Sequence, residues 1–369
     1  MSLAACGADP VEPAGLPVAA TSDPGDTQAP AVTPAVRAPT AAPPAPPVTP
    51  AATAPAESLT LAFVGDINFE SEIRARLDAD PASVFGPAAQ ELAAADLTFG
   101  NLETAIAESG APEPKTYTFR APPTAFEALE LAGFDAVSMA NNHGVDYGAE
   151  GLEDSLAAIA QTDVAVAGIG ASAAEAYAPV FLEAKGRRVA FLAALQLQDQ
   201  TWSNWGATDS SGGVARYDDR FVESVRTADA QADVTIAYLH WGPENEACPH
   251  ADVAPPIVDE LIEAGADIVV GAHAHMLQGA GWRDRVFVSY GLGNYLWYFQ
   301  RNEQTTRTGI FTVTVEGNDA VSLDYSPARI QTPSGIPLPM TGDEAAAAQV
   351  ELEELRACTD LSAAPPSGG

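Results

Sequence analysis

Basic residues and cysteines are scarce in this chain of 369 residues, and no long apolar run occurs. Its 17 Lys and Arg residues stand against 50 Asp and Glu residues, which gives a formal net charge of −33 at pH 7. Such a surface repels nucleic acid and anionic lipid, so we expect no nucleic-acid partner. The same field disfavours long polyanionic substrates, unless a metal ion or local basic residues reverse it. The alternative is that the charge serves only solubility.

The lack of apolar runs argues against a membrane-spanning helix, because such a helix needs about 18 or more consecutive apolar residues. The N-terminus nevertheless suggests a membrane anchor. Residues 3–6 (Leu-Ala-Ala-Cys) match the cleavage box of a bacterial lipoprotein signal, in which Cys6 would carry the lipid. The charged and hydrophobic regions that precede such a box are absent. Either the sequence begins at the processed end with a few added residues in front, or the match is accidental.

Residues 7–57 consist mainly of Pro, Ala, Thr and Val, with few large side chains and no periodicity. Such a segment cannot bury enough apolar surface to fold, and Pro lengthens and stiffens it. A lipidated Cys followed by this tether would hold a domain outside the cytoplasm as a cell-membrane lipoprotein. We therefore divide the chain into an N-terminal linker at 1–57, a folded domain at 58–335, and an acidic C-terminal helix with a flexible tail at 336–369.

Cysteine occurs three times. If Cys6 carries lipid, Cys248 and Cys358 remain, and two thiols in an exported protein favour a disulfide that ties the C-terminal helix to the domain. This interpretation depends on export. The alternative is two unrelated free thiols.

Short apolar segments alternate with segments of helical periodicity, which is the pattern of an α/β fold with helices on the sheet faces. The predicted strands are 58–64, 97–99, 136–139, 164–168, 180–184, 187–194, 234–239, 267–270, 286–290 and 309–316. The predicted helices are 71–79, 90–95, 124–132, 149–161, 173–177, 221–228, 255–264 and 343–357. Residues 196–213 are predicted to form a polar loop that contains two tryptophans.

Polar side chains with metal-binding chemistry follow five of the apolar segments. They are Asp66, then Asn101 and Glu103, then Asn141, Asn142 and His143, then His240, and last His273 and His275. Four of the five histidines in the chain belong to these clusters. Because the carboxyl ends of strands in an α/β sheet line one crevice, we expect the five clusters to meet there.

Neutral imidazole and carboxylate oxygen suit Zn, Mn or Fe, and a bridging carboxylate can hold two cations roughly 3.5–4 Å apart. Each cluster alone has a simpler interpretation. A histidine after a strand is commonly a hydrogen-bonded core residue, Gly-Asp is commonly a turn, and an Asn pair commonly caps a helix. The occurrence of all five together favours a metal site.

These clusters resemble a known family. The resemblance rests on Gly65-Asp66, Gly100-Asn101-Leu102-Glu103, Ala140-Asn141-Asn142-His143 with Asp146-Tyr147-Gly148, His240-Trp241-Gly242-Pro243-Glu244, Gly271-Ala272-His273-Ala274-His275 and Ser289-Tyr290-Gly291-Leu292-Gly293-Asn294. In this order they are similar to the CapA-type poly-γ-glutamate capsule-synthesis family, which belongs with the calcineurin-like metallophosphoesterases. The resemblance covers nearly all of 59–334 and implies a four-layer αββα sandwich of two mixed sheets.

The resemblance also implies roles for single residues. Asp66 and Glu103 correspond to carboxylate ligands, one of them bridging. Asn142 corresponds to an amide ligand, and His143 to a general acid or transition-state stabiliser. The implied imidazole ligands are His240, His273 and His275.

Two positions depart from the superfamily pattern. Asn68 occupies the place of a usual histidine ligand, and Asn101 occupies the place of a usual aspartate. The number of bound ions, one or two, therefore stays open.

Lys115 and Arg120 match the basic loop of the family and would clamp a carboxylate or phosphate; the alternative is two solvated charges. Trp202 and Trp205 lie in the predicted polar loop, and loops of this kind often contact substrate. Trp241 and Trp297 are instead predicted to be core residues. Glu244 and Asn294 are candidates for orienting a ligand histidine.

The expected function is that of an extracytoplasmic, metal-dependent hydrolase or transferase of capsule or envelope polymer biosynthesis. Its substrate would be a phosphoester or a γ-glutamyl amide of an acidic polymer, and a membrane-bound capsule synthase is a candidate partner. The alternative is a non-catalytic, membrane-anchored accessory protein that uses the fold as a scaffold in an envelope assembly complex. The absence of the usual histidine at Asn68 favours this alternative.

Overall fold

The computed structural model describes residues 57–366. The predicted lipidation site at Cys6 and the predicted linker lie outside these residues and remain predictions. In chain order, the strands of the described part are β1 (Leu59–Ile67), β2 (Leu97–Leu102), β3 (Ala105–Ile106), β4 (Arg120–Ala121), β5 (Ala136–Ser138), β6 (Ala165–Ala167), β7 (Ile169–Gly170), β8 (Val180–Ala184), β9 (Arg187–Leu195), β10 (Gly213–Val214), β11 (Val234–His240), β12 (Ile268–Ala272), β13 (Ala280–Arg283), β14 (Val286–Ser289), β15 (Asn294–Leu296), β16 (Arg307–Glu316), β17 (Asp319–Gln331) and β18 (Ile336–Pro339).

The α-helices of the described part are α1 (Glu72–Ala79), α2 (Ala89–Leu92), α3 (Thr124–Ala132), α4 (Gly148–Ile159), α5 (Ala173–Ala176), α6 (Gln200–Trp205), α7 (Asp219–Asp229), α8 (Ala254–Glu263) and α9 (Gly342–Arg356). Most follow from local sequence. The helix α3, for example, ends where Gly133 takes a left-handed conformation at φ 88°, which glycine adopts without strain. The helix α7 begins where the Asp218 side chain accepts hydrogen bonds from two backbone N–H groups of the first turn.

Two mixed sheets form the centre of the fold. The first has the order β18-β17-β16-β1-β2-β5-β6, with β15 also paired to β1. The second has the order β13-β14-β12-β11-β9-β8. In each sheet the inner strands are parallel and an antiparallel hairpin extends an edge, as β16 and β17 do in the first sheet. The parallel strands therefore direct their carboxyl ends toward the same side of the molecule.

The sheets pack face to face, and helices cover their outer faces. Between the sheets lies a core that includes Phe63, Phe99, Phe191 and Tyr238. A second core joins α1–α4 to the outer face of the first sheet, and a third joins α5, α7 and α8 to the second sheet. This is the expected four-layer αββα sandwich, so the predicted fold class is confirmed.

The structure extends the fold beyond the predicted boundary at 335. The strand β18 pairs with β17, and α9 buries Ala348 and Leu352 against the core between the sheets. Ser362 forms a bridge with Trp282, so the segment after the helix also packs on the domain at that point. The strand β17 is not among the predicted strands, because it alternates polar and apolar residues around Pro327, a pattern that gives a weak strand signal.

The structure corrects the predicted loop at 196–213 and confirms the predicted disulfide. The predicted loop at 196–213 contains the helix α6, which the Asp199 side chain caps by accepting from the Trp202 backbone N–H. Cys248 and Cys358 form a disulfide across a separation of 110 residues, which confirms the favoured pairing and fastens the end of α9. None of the helices in residues 57–366 has the length and apolar character needed to cross a membrane.

Candidate metal centre

The ends of the parallel strands bring the predicted clusters to one edge of the sandwich. Asp66, near the end of β1, is in register with Asn101 of β2 and with Asn294 of β15. In the second sheet, His240 ends β11 beside the residue of β12 that precedes His273 by one position. The two edges are adjacent, since the His273 backbone N–H lies 3.4 Å from Asp66 Oδ2.

A glycine permits the close approach that places Asn294 here. A Cβ atom on Gly65 would lie 1.8 Å from the carbonyl oxygen of Gly293, a distance that no side chain tolerates. Without a Cβ, the two segments meet, and the Asp66 backbone N–H donates to the Gly293 carbonyl at 2.9 Å. The sequence Gly65-Asp66 therefore sets the position of the first carboxylate.

Carboxylates and imidazoles face each other within this buried edge. Glu103 Oε1 lies 3.6 Å from His240 Nε2, and Asp66 Oδ2 lies 3.1 Å from His275 Nδ1. His273 Nδ1 lies 3.1 Å from His240 Nε2. Two sets of three have ligand atoms within 4.8 Å of one another. These sets are Glu103 with His273 and His275, and Asp66 with Glu103 and His240.

Glu103 shows most clearly that these residues fit a cation. Its side chain is fully buried, and neither carboxylate oxygen has a hydrogen-bond partner in the described part of the chain. A buried carboxylate without partners is costly, and a coordinated cation is one of the few ways to compensate it. Glu103 belongs to both sets of three, so it is the carboxylate that an ion in either set would share.

Backbone conformation aims His273 and His275 into the same pocket. Both have positive φ values, 89° and 54°, which are uncommon for residues other than glycine. Such strain persists only where the surrounding structure enforces it, and it is concentrated at functional sites. The turn after β12 thus directs two rings, separated by one residue, toward the carboxylates.

Burial sets the charge state of the centre. It raises the pKa of Glu103 well above its usual value, and the neighbouring Asp66 carboxylate adds to this effect. Burial also lowers the pKa values of His240 and His273 well below their usual range, so both rings are neutral and keep lone pairs for a metal ion. For His275, burial opposes protonation, but the contact with Asp66 outweighs it and raises the pKa.

Three asparagines hold the centre in place. Asn142 Oδ1 lies 2.8 Å from His240 Nε2, a position suited to an amide ligand. The Asn101 amide donates to Asp66 Oδ1 at 2.8 Å, and the Asn141 amide donates to Asn101 Oδ1 at 3.0 Å. Asn101 therefore orients a carboxylate through its amide group, at the position where the superfamily pattern would have another carboxylate.

Asn68 does not face the centre as a ligand. Its amide donates to the backbone carbonyl of Glu103 at 3.3 Å, and its oxygen accepts from the Glu70 backbone N–H at 2.8 Å. The side chain thus connects the segments after β1 and β2, and the position where the resemblance implies a histidine ligand has a structural contact instead.

His143 lies beside the cluster, with Asp146 behind it. Its Nδ1 is 2.6 Å from Asp146 Oδ2, and its Nε2 is 3.9 Å from Glu103 Oε1. Asp146 is fully buried; it also accepts from the Phe119 backbone N–H at 2.6 Å and pairs with the Lys115 ammonium. Burial lowers the pKa of His143, although Asp146 favours its charged form. The ring is thereby fixed with Nε2 toward the centre.

The predicted substrate contacts lie around this edge, and their roles stay predictions. The Lys115 ammonium is not a solvated charge, because it contacts Asp146 and the Asn142 carbonyl. Arg120 places its guanidinium 4.5 Å from the centre of the Tyr147 ring. Trp202 and Trp205 lie on α6, half-buried against the core of the first sheet.

A small cavity opens beside the candidate ligands, with a volume of about 110 Å³. Its aromatic residues, here called the aromatic cleft, are Tyr117, Phe119, Trp297, Tyr298 and Phe299. His143 and His275 form part of its lining, so the cavity leads to the centre. Trp297 was predicted to be core and is largely buried, yet it also lines the cavity.

Sequence reasoning missed several contributors. Asp146 was noted only as part of a motif, and its spacing of three residues from His143 was the available signal. Thr201 was not singled out; its hydroxyl donates to the Asn142 carbonyl at 2.8 Å and joins α6 to the site. The stacking of Phe119 on the His143 ring, with centroids 4.1 Å apart, had no local signal.

The fold and the site define a four-layer α/β protein with a buried carboxylate and imidazole cluster that is suited to divalent metal. Residues 60–298, well over half of the chain, match the model of the family described as bacterial capsule synthesis protein PGA_cap. The chain belongs to this family, which confirms the resemblance seen in its motifs.

Curated relatives agree with this assignment. The chain is 28% identical over 299 residues to the capsule biosynthesis protein CapA of Bacillus anthracis, covering 77% of this chain and 70% of that protein. It is 26% identical over 245 residues to the PGA biosynthesis protein CapA of Bacillus subtilis, covering 64% of this chain and 63% of that protein. Among solved structures, it is similar to the calcineurin-like phosphoesterase YfkN of Bacillus subtilis, at 16% identity and a TM-score of 0.46, covering 81% of this chain and 99% of that one.

Proposed function

We propose that this protein is a metal-dependent hydrolase or transferase of capsule or envelope polymer biosynthesis that acts outside the cytoplasm. The observation that carries the proposal is the Glu103 carboxylate, which is fully buried without a hydrogen-bond partner among the described residues and lies next to three imidazoles. A purely structural site would not leave these oxygens uncompensated.

The residues proposed to hold the metal are Asp66, Glu103, Asn142, His240, His273 and His275. A bound Mn, Zn or Fe ion would polarise the scissile group and lower the pKa of a water molecule. The two sets of three that share Glu103 have room for one ion or two. The neutral state of His240 and His273 supports binding, because a metal ion does not then compete with protons on these rings.

His143 is proposed to move the proton that the reaction requires. Its Nδ1 hydrogen donates to Asp146 Oδ2, which leaves Nε2 directed at the substrate side of the centre. Nε2 of the neutral ring would take up a proton from the attacking water and then pass it to the leaving group, an alkoxide oxygen of a phosphoester or the nitrogen of a γ-glutamyl amide. Asp146 stabilises the charged ring before this transfer and fixes its orientation, as a carboxylate behind a catalytic histidine does elsewhere.

The proposed location rests on separate observations. A disulfide between Cys248 and Cys358 supports an oxidising compartment, because structural disulfides are rare in the cytosol. Lipidation of Cys6 would then anchor the chain on the outer side of the cell membrane. An acidic polymer or a phosphorylated envelope precursor is the proposed substrate class, and a membrane-bound capsule synthase is the proposed partner.

One observation favours a second candidate function. Asn68 uses both ends of its amide for backbone contacts and supplies no imidazole. With fewer strong ligands, the centre would bind metal weakly, and the protein would act as a membrane-anchored accessory scaffold in an envelope assembly complex. The two candidates differ in whether purified protein retains metal and turns over a substrate.

The deciding experiment measures metal content by elemental analysis, together with hydrolysis of phosphoesters and γ-glutamyl peptides. Wild-type protein should contain Mn, Zn or Fe and hydrolyse one of the two substrate types, and His240→Ala should lose both properties. His250→Ala is the matched control, because His250 is the one histidine outside the clusters and is exposed. If wild-type protein contained no metal and hydrolysed neither substrate type, the proposed enzymatic function would be refuted, and the accessory scaffold function would be the remaining candidate.

A further inference from the structure

Exposed aromatic side chains are concentrated at the mouth of the cavity beside the metal centre. In the described part of the chain, four large hydrophobic residues are strongly exposed, and two of them belong to the aromatic cleft: Tyr117 at 63% and Phe299 at 58%. Single exposed hydrophobic residues are common on protein surfaces, but exposed rings grouped at the rim of a cavity are typical of a binding site. Their position at an opening toward the centre points to a ligand.

The cleft has an inner and an outer part. Phe119 and Trp297 are buried and stack on histidines of the centre, with Phe119 4.1 Å from the His143 ring and Trp297 4.7 Å from the His275 ring. These two rings therefore support the histidines and do not offer a free face to a ligand. Tyr117, Tyr298 and Phe299 form the outer part. Tyr117 and Phe299 present free ring surface to a ligand, whereas Tyr298 is half-buried and packs edge-on against Phe119.

Besides the two histidines, the lining of the cavity has one carboxylate, that of Glu244, and one guanidinium, that of Arg301. Neither of these two groups forms a salt bridge with another described residue. The Asn245 amide has only a long contact of 3.5 Å with Glu244. These three side chains thus retain hydrogen-bonding capacity for both donors and acceptors.

Two kinds of ligand fit the outer part of the cleft poorly. A polyanion would find a single guanidinium and a carboxylate there, on a protein of net charge −33, so an acidic substrate would place its charged groups at the metal centre and not among the outer rings. A folded protein partner could insert only a small group into a cavity of about 110 Å³. A compact neutral ligand with an apolar face and several hydroxyl groups fits better.

We propose that the outer part of the aromatic cleft binds one sugar ring of a neutral glycan. The C–H groups on one face of a sugar ring carry partial positive charge, and the faces of aromatic rings carry partial negative charge. The hydroxyl groups around the ring edge would bond to Glu244, Asn245 and Arg301. This subsite goes beyond the proposed function, since it binds a neutral carbohydrate and needs no metal chemistry.

The test is isothermal titration of the full-length protein with two neutral oligosaccharides, the β-1,4 tetramer of N-acetylglucosamine and maltotetraose. At least one should bind wild-type protein. The double variant Tyr117→Ala/Phe299→Ala should bind it about 4- to 100-fold more weakly, because each stacked ring contributes a factor of about 2 to 10. The matched control is Leu131→Ala/Val350→Ala, which removes the other two strongly exposed hydrophobic side chains and should bind as wild type does.

Three results would overturn the subsite: no binding of either oligosaccharide, equal binding by both double variants, or cleft-dependent binding of a γ-glutamate oligomer in place of the sugars. Phosphoester and γ-glutamyl turnover, measured on the same wild-type sample, reports on the proposed function separately. Sugar binding without turnover would refute the proposed enzymatic activity and support the sugar subsite. Turnover without sugar binding would refute the sugar subsite and support the enzymatic activity.

Discussion

Glu103 Oε1 and His240 Nε2 lie 3.6 Å apart in the protein interior, and both residues are buried. Glu103 directly follows β2 of the first sheet, and His240 is the last residue of β11 in the second sheet. Their contact therefore joins the two sheets at the metal centre. Burial drives the pKa of Glu103 up and that of His240 down, away from an ion pair. A shared cation would compensate both groups, since it would accept lone pairs from both.

Replacement of Glu103 by Gln should separate metal binding from folding. The variant removes a carboxyl group whose ionised form burial disfavours and whose oxygens have no partner, so metal-free protein should gain about 1–3 kcal/mol of unfolding free energy. Loss of a shared ligand should lower metal affinity by a factor of 100 or more, above the range of about 10 to 100 seen for supporting residues. Urea unfolding after chelation and metal titration give the two quantities.

Glu127→Gln is the control for this substitution, because Glu127 is exposed on α3 and makes no contact with the centre. It should change neither quantity. Wild-type metal affinity in Glu103→Gln would show that the carboxylate is not a ligand.

Asp146→Asn should reduce turnover while metal content stays normal. An amide in place of the carboxylate cannot stabilise the charged His143 ring and favours the wrong tautomer. We expect a drop in kcat on the order of 10²- to 10⁴-fold with little change in KM. Kinetics on the phosphoester or γ-glutamyl peptide that the wild-type protein hydrolyses, with elemental analysis of the same preparation, provide the measurement. The exposed Asp163→Asn is the comparison, and equal kcat values in the two variants would remove Asp146 from the mechanism.

The disulfide should contribute strongly to stability. It closes a loop that spans a sequence separation of 110 residues and fastens the end of α9. The double variant Cys248→Ser/Cys358→Ser should lose about 2–5 kcal/mol of unfolding free energy. Urea unfolding of wild-type protein with and without a reductant should reproduce this loss, whereas the double variant should not respond to reductant. A reductant-independent wild-type curve would mean that the bond does not form in the protein.

Asp267 should make stability decrease from acidic to neutral pH. Burial raises its pKa from 3.8 to about 7, although it accepts a hydrogen bond from the Thr235 backbone N–H at 2.8 Å. A raised folded-state pKa gives stability that is complete below about pH 4 and is lost as the pH rises through 7. A difference of about three pKa units, at about 1.4 kcal/mol each, limits the effect to about 4 kcal/mol.

Asp267→Asn keeps the acceptor and removes the charge. It should match the wild type in unfolding free energy near pH 3.5 and exceed it by about 1–4 kcal/mol at pH 8. A constant difference between the two proteins at both pH values would contradict the raised pKa.

Much of the fold was predictable from local sequence, because periodicity and end signals agreed. The helix at 124–132 has the predicted bounds, with Gly133 as its end signal. The strand β17 was missed, since its polar alternation and Pro327 imitate a loop. The helix α6 was missed because six residues rich in Trp and polar groups show no helical period. The layer order came from the family resemblance, since strand pairing between distant segments leaves no local pattern.

The candidate site was likewise predictable only in part. Asp66, Glu103 and His240 follow strands, and parallel strands bring their ends together, so sequence order was enough to group them. The pairing of Asp146 with His143 depends on the turn between them, and the support from Phe119 comes from a loop with no regular spacing. Such contacts depend on tertiary packing, which the sequence pattern does not report.

The most direct test of this account is anomalous X-ray diffraction from crystals of the protein, recorded at the absorption edges of Mn, Fe and Zn. We predict an anomalous peak next to the Glu103 carboxylate, within coordination distance of the His240 ring, and a second peak near His273 and His275 if two ions bind. A clear anomalous signal only elsewhere, or none at any of the three edges in metal-supplemented crystals, would contradict it.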